Sequence, residues 1–342
     1  MKIGVLSGGG DAPGINAVIR AVVRKGIQNY GYDIVGIKDG WHGLMEGEFL
    51  PLNLESASGI LPRGGSVLGT SRTNPFKHEK GPEKTLEHTK KEGIDAIVVI
   101  GGDDTLSVAY KMGDFGLKCV GVPKTIDNDL AGTDYTFGFM TAVTIATEAL
   151  DRLHTTAETH KRVMILEVMG RYTGWIALEA GLAGGADVIL IPEKPFDIDE
   201  ICEYIRRRHD RGRNFSIVVV AEGAKPKGGK EIVYSENIDE FGHIRFGGIG
   251  YYIGKEIEKC LNIETRVVVL GHLQRGGSPT AFDRILATRF GIAAVDLVHE
   301  GKFGNMVAIK GNEIVPVALK NVIGKRKTVD LELYNIASVF FG

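Results

Sequence analysis

Residues 95–106, DAIVVIGGDDTL, decide how this chain is read. The run from Ala96 to Ile100 is apolar at every position, without the alternation of a sheet that is wetted on one face. It therefore reads as a strand buried on both sides. Gly101 and Gly102 follow at once, and glycine after a strand lets backbone N–H groups approach an anion closely. Two adjacent acids, Asp103 and Asp104, then place negative charge inside what looks like a phosphate cradle.

Working outward, similar β-branched runs recur: KIGVL, DIVGI, KCVGVP, RVMILEV, DVILIP, SIVVVAEG and TRVVVLGH. Segments with helical period and helical punctuation separate them. GINAVIRAVVRKGIQNYG puts Ile15, Val18, Ile19, Val22 and Val23 on one stripe and closes at Gly31. PEKTLEHTKKEG carries proline and glutamate in its first turn and glycine after its last, and TAFDRILATRFGIAAVDLVHEG repeats the pattern. Strand alternating with helix predicts an α/β fold with mostly parallel sheets in doubly wound lobes. The 342 residues suffice for about two domains.

Composition narrows the function classes. A net charge of −2 gives no bulk attraction toward nucleic acid. No apolar run approaches the ~20 residues of a membrane span, and the N-terminus is too short in apolar residues for a secretory signal. Cys119, Cys202 and Cys260 lie far apart and form no zinc or disulfide pattern. A cytoplasmic protein with neither nucleic-acid nor membrane partners is expected. The basic run RRRHDRGR, Arg206 to Arg213, reads as the solvated last turn of a helix.

In a doubly wound sheet, ligands bind beyond the carboxyl ends of the strands. Six of these ends read SGGGDAPG, GGDDT, PKTIDND, MGRYTG, AEG and GHLQRGGSP, and are expected to meet at one edge. The first is neither a Walker loop nor a clean dinucleotide fingerprint, because Pro13 stands where a last glycine belongs. Asp127 and Asp129 can divide labour between base and support, and with Asp103 they suggest Mg²⁺ beside phosphate. Arg72, Arg162, Arg171, Arg266, His272 and Arg275 supply cations able to meet phosphate oxygens. Metal, cations and a base for an attacking hydroxyl are the parts of phosphoryl transfer.

In this order the motifs resemble the phosphofructokinase family, over nearly the whole chain. The loop GGDDT alone is shared with more distant kinases, whereas TIDND together with HLQRGG separates this family from them. The resemblance implies roles residue by residue. Asp127 is implied as the general base, supported by Asp129, with Thr125 and Ile126 beside the substrate. Asp103 is implied as the Mg²⁺ carboxylate, and Gly10, Arg72 and Thr73 as groups around the donor. Met169, Gly170, Arg171, Glu222, His272 and Arg275 are implied to hold fructose 6-phosphate. Arg162 and Arg266 are implied to reach the sugar phosphate across a subunit boundary, which makes the protein a homo-oligomer, dimer or tetramer. Two lobes are implied: 1–140 plus 252–305 for the phosphoryl donor, and 141–251 plus 306–342 for fructose 6-phosphate.

At two positions the chain departs from the ATP-dependent pattern, which reads GGDG and PGTIDND. Asp104 and Lys124 replace glycines that leave room for a nucleotide. A carboxylate at ~4 Å from an α-phosphate costs about 4 kcal/mol at an effective dielectric of ~20. Pyrophosphate carries no such group, so Asp104 penalises the nucleotide alone, while Lys124 can stabilise the leaving phosphate. The pair resembles the pyrophosphate-dependent branch, whose reaction is reversible. Two alternatives are an ATP enzyme in which Lys124 neutralises Asp104, and a catalytically silent sugar-phosphate binding subunit.

Overall fold

The structure, a computed structural model, describes residues 1–229, 233–235, 241–242 and 245–342. The chain forms two compact units. Unit 1 comprises Met1–Ile126, Leu130–Thr141 and Arg275–Arg326, and unit 2 comprises Asp127–Asp129, Ala142–Gln274 and Lys327–Gly342.

Unit 1 opens with β1 (Lys2–Ser7), α1 (Ile15–Tyr30), β2 (Asp33–Ile37), α2 (Gly40–Glu46) and β3 (Phe49–Leu52). It continues through α3 (Gly81–Glu92), β4 (Ala96–Gly101), α4 (Asp103–Asp114) and β5 (Cys119–Pro123). Helix α5 (Phe139–His160) begins in unit 1 and continues into unit 2. Unit 2 then holds β6 (Val163–Val168), α6 (Trp175–Ala183), β7 (Val188–Leu190), α7 (Ile198–Asp210) and β8 (Ser216–Ala221). After these come the short antiparallel pair β9 (Val233–Ser235) and β10 (Arg245–Phe246), then α8 (Ile249–Leu261) and β11 (Thr265–Val269). The chain returns to unit 1 for α9 (Ala281–His299), β12 (Asn305–Lys310) and β13 (Glu313–Ala318), and ends in unit 2 with α10 (Leu331–Ser338).

The eight apolar runs are all strands, and β4 is buried at every residue. In unit 1 the order is β13-β12-β5-β4-β1-β2-β3, parallel from β12 to β2 with β13 and β3 antiparallel at the edges. Unit 2 carries a parallel sheet in the order β11-β6-β8-β7. The α1 stripe packs Val18, Val22 and Val23 with Phe290 and Ala294 of α9 against Val5, Val98 and Ile100. Helix α1 ends where Gly31 takes a left-handed φ of 63° and returns its N–H to Ile27 and Gly26. The second core gathers Val163, Ile165, Val218 and Val220 with Ile253 of α8 and Ile205 of α7.

Strand pairing moves the expected lobe boundaries. Residues 306–326 belong to unit 1, because β12 pairs with β5 through Asn305↔Val120 and Met306↔Gly121, and β13 pairs with β12. Residues 252–274 belong to unit 2, because β11 pairs in parallel with β6 through Arg266↔Met164. The six glycine-bearing loops consequently divide between two sheets, with those after β1, β4 and β5 in one and those after β6, β8 and β11 in the other.

The basic run closes α7 as a largely ion-paired face. Arg206 and Arg207 reach Glu203, and Arg208 reaches Asp187 at 2.9 Å. Burial raises the Asp187 carboxyl, against the lowering pull of the Ile217 N–H and Arg208.

In unit 1, Asp283 of α9 is fully buried and holds the start of α5. Its Oδ2 accepts from the Thr141 N–H at 2.7 Å and from the Thr141 hydroxyl at 2.5 Å. Burial lifts its carboxyl above the ordinary 3.8, opposed by the bonds from Thr141. A raised folded value means that the contribution of this carboxyl to stability is complete below its unfolded value and is lost as pH rises through the folded one. Asp283→Ala is expected to lower the unfolding free energy by about 3 kcal/mol, since it orphans both Thr141 donors. Asp283→Asn should flatten the wild-type decline in stability with rising pH. Urea titrations at pH 4 and pH 8 check both.

Candidate functional site

In unit 1 the loop after β1 is fixed by its neighbours. Gly8 donates to Ile100 O at 2.9 Å and Gly9 to Ser71 O at 2.8 Å, while the Thr70 hydroxyl donates to Gly9 O at 2.7 Å. The motifs SGGGDAPG, GTSR and GGDDT are therefore stitched together by main-chain bonds, with Arg72 and Thr73 directly following Ser71. Thr105, on the first turn of α4, fills the space between two glycines. A Cβ on Gly8 would lie 2.8 Å from the Thr105 methyl and hydroxyl, and one on Gly101 would lie 2.3 Å from the Thr105 Cβ.

Two cations converge on this loop. Lys124 is 3% exposed, its N–H bonds Gly101 O at 3.0 Å, and its ammonium donates to Gly10 O. Arg275 is 8% exposed and donates from Nη1 to Asp11 O at 3.2 Å. A Cβ on Gly10 would meet that Nη1 at 2.5 Å, so a larger residue there would displace the guanidinium. Sequence reading groups Arg275 with the sugar-holding residues, whereas here it lies on the loop that carries Gly10. Asp103 and Asp104 occupy the first turn of α4, both half-buried, and Asp103 Oδ1 accepts from the Gly324 N–H at 3.1 Å. The Thr136 hydroxyl holds Thr125 O at 2.7 Å, and Ile126 is buried.

In unit 2 the loop after β6 is held by two side chains from the next strand ends. The Gln274 Oε1 accepts from the Met169 N–H at 2.9 Å, and the Glu222 Oε1 accepts from the Arg171 N–H at 3.0 Å. Gly170 takes a φ of 147° and Arg171 one of 50°, a reversal that brings Arg171 O so near Gly223 that a Cβ there would lie at 1.9 Å. MGRYTG, AEG and GHLQ thus form one construction around Met169, Gly170, Arg171 and Glu222. Asp127 is 5% exposed, and its carbonyl receives the Thr173 hydroxyl at 3.3 Å. Asp129 is half-buried and accepts at its carbonyl from the Lys327 N–H at 2.8 Å.

Arg162 and Arg266 share one partner. Glu264 takes Arg162 Nε at 2.5 Å through one oxygen and the Arg266 guanidinium through the other. His272 is exposed. Buried Glu167 of β6 accepts from the Gly248 and Gly250 N–H groups at 3.1 and 2.9 Å, capping α8 with a carboxylate that no motif reveals. Gln274, Glu264 and Thr173 are likewise residues that the sequence reading did not single out. The only signal for the first two was their position inside GHLQRGG and directly before TRVVVLGH.

The acids of unit 1 suit Mg²⁺ of a particular kind. Among the described residues no three His, Cys, Asp or Glu side chains cluster to cage a metal. Mg²⁺ keeps several waters and is commonly held by one or two carboxylates together with substrate phosphates. Asp103, at the first turn of a helix beside a glycine loop, fits that manner of binding.

A family model for phosphofructokinase matches residues 2–298. A pyrophosphate–fructose 6-phosphate 1-phosphotransferase from Streptomyces coelicolor is 57% identical over 343 residues, covering all of both chains. An ATP-dependent 6-phosphofructokinase 3 from the same organism is 54% identical over 329 residues, covering 96% of each. The crystal structure of Pichia pastoris phosphofructokinase in the T-state superposes with a TM-score of 0.85 at 32% identity, covering 99% of this chain and 36% of that one. Relatives of both donor types thus lie at nearly equal similarity.

Proposed function

Because the chain belongs to the phosphofructokinase family, we propose that it transfers a phosphoryl group reversibly from pyrophosphate to the 1-hydroxyl of fructose 6-phosphate, giving fructose 1,6-bisphosphate and phosphate. The observation that carries the choice of donor is the presence of both Asp104, on the first turn of α4, and a buried Lys124 whose ammonium rests on the Gly10 carbonyl. Overall identity does not separate the donors, so the residues must.

The roles follow from chemistry. Asp127, a nearly buried carboxylate on a held turn, takes the proton of the 1-hydroxyl as the oxygen attacks phosphorus, and Asp129 supports it. Lys124 and Arg275 meet the charge that develops on the departing phosphate, and a cation fixed in advance on a glycine loop costs no reorganisation at that moment. Gly10, Arg72 and Thr73 flank the donor. Met169, Gly170, Arg171, Glu222, His272, Thr125 and Ile126 contact the sugar phosphate. Arg162 and Arg266 reach a sugar phosphate held by a second copy of the chain, so the enzyme works as a homo-oligomer.

Asp103 would hold Mg²⁺ beside the donor, and the ion would supply neutralisation of phosphate charge. On this reading Asp104, on the first turn of α4, excludes ATP by repelling an α-phosphate. Three free cysteines support operation in a reducing cytoplasm. Among the described residues no helix is long and apolar enough to cross a membrane.

The test is kcat/KM for pyrophosphate and for ATP, each at saturating fructose 6-phosphate. Pyrophosphate is expected to be preferred by at least about 10²-fold, part of the ~10³ that a cost of about 4 kcal/mol allows. A preference for ATP overturns the reading and installs the nucleotide-dependent alternative. A purified protein that binds sugar phosphate without turnover with either donor installs the silent subunit.

A further inference from the structure

We infer that Trp175, acting with Thr173 and the main chain of Lys327, is a positioning residue that sets the turn Asp127–Asn128–Asp129. The inference rests on the reading of Asp127 as the base.

Asn128 has a φ of 52°, a left-handed conformation uncommon for residues with a Cβ and best tolerated by asparagine. The turn is held at the carbonyls of both its ends. Asp127 O receives the Thr173 hydroxyl at 3.3 Å, and that hydroxyl also lies 3.2 Å from Gly170 O. Asp129 O receives the Lys327 N–H at 2.8 Å.

Lys327 is in turn held by the residue two places beyond Thr173. The Trp175 indole N–H donates to Lys327 O at 3.0 Å, and the Lys327 ammonium stands 5.0 Å from the centre of the same ring. The Glu193 carboxylate repeats the connection one step away, accepting from the Gly174 N–H at 3.1 Å and the Val329 N–H at 3.0 Å. A Cβ on Gly174 would meet Ile191 at 2.3 Å and Glu193 Oε2 at 3.1 Å, which keeps this junction tight.

Residues 173–175 therefore span both ends of the turn, one end directly and the other through Lys327. Packing at the start of α6 would be served by any large aromatic. Only an indole among them also places a ring N–H on Lys327 O. A shift of about 1 Å in a reacting group can cost 10²-fold in rate, so a loosened turn should show in kcat before it shows in binding.

The experiment compares Trp175→Phe, Thr173→Val and Asp127→Asn with the wild type, reading kcat, KM for fructose 6-phosphate and pyrophosphate, and Tm. Trp175→Phe is expected to lower kcat about tenfold, with both KM values within about twofold of wild type and Tm little changed. Thr173→Val should do the same from the other end, and the double variant should fall short of the product of the two losses because both act on one turn. Wild-type kcat in Trp175→Phe, or a loss matched by an equal rise in KM, overturns the inference. Should Trp175→Phe not fold, Thr173→Val is judged by the same criteria. If Asp127→Asn retains turnover, the reading of the base fails instead; if it is inactive while Trp175→Phe is normal, the inference alone fails.

Discussion

Asp127→Asn is expected to cut kcat by about 10³-fold while leaving the affinity for fructose 6-phosphate nearly unchanged. The amide keeps the size of the side chain and removes its basicity, so the 1-hydroxyl loses the acceptor for its proton. Asp127 is 5% exposed, and bulk water is poorly placed to take over. The reverse direction should suffer equally, because the same group returns the proton to the sugar oxygen. Single-turnover rates in both directions, beside direct binding of fructose 6-phosphate, check this. Undiminished turnover would move the base elsewhere, with Asp129 the next carboxylate along the chain.

Asp104→Gly should raise kcat/KM for ATP relative to pyrophosphate by up to ~10³-fold, the rate equivalent of removing a like-charge contact of about 4 kcal/mol. The gain has two parts, relief of repulsion and relief of crowding. Asp104→Asn separates them, because it keeps the bulk and discards the charge. Lys124→Gly made on top of Asp104→Gly should widen the ATP preference further by lowering the pyrophosphate rate, since the ammonium on Gly10 O is lost to the leaving group. A donor ratio that stays put in all three variants removes Asp104 as the discriminator. Competition between the two donors in one assay is the most direct measurement.

Much of the fold was legible in the sequence for a physical reason. Parallel strands buried on both faces read as near-continuous apolar runs, and β4 and β5 are such runs, β1, β2 and β8 are apart from polar residues at their ends, and β6 departs only at Glu167. Helix ends marked by Gly31 and Gly93 were legible too, because left-handed caps select glycine. The hairpin β12–β13 was missed. β13 lies at a sheet edge, is nowhere fully buried and carries Pro316, so it lacks the signature of an interior strand. Its omission also misplaced the lobe boundary, since strand pairing between Asn305 and Val120 is invisible along the chain.

At the candidate site, the glycine and acid motifs were legible because close approach and charge each demand a narrow set of residues. Gln274, Glu193 and Thr173 act by bonding main-chain N–H or C=O groups far away in sequence. No spacing rule announces such partners. Arg275 shows the converse difficulty. Its motif was plain, yet its place over Gly10 depends on where the chain re-enters unit 1.

Thr105 places a limit on how this protein can evolve. Because one side chain occupies the volume above both Gly8 and Gly101, neither glycine can accept a methyl group unless residue 105 shrinks at the same time. Thr105→Ala removes the methyl and hydroxyl that bar a side chain at residue 8, whereas residue 101 also meets the Thr105 Cβ at 2.3 Å and needs Thr105→Gly. A larger residue at position 8 or 101 should therefore be found only beside a smaller residue at position 105.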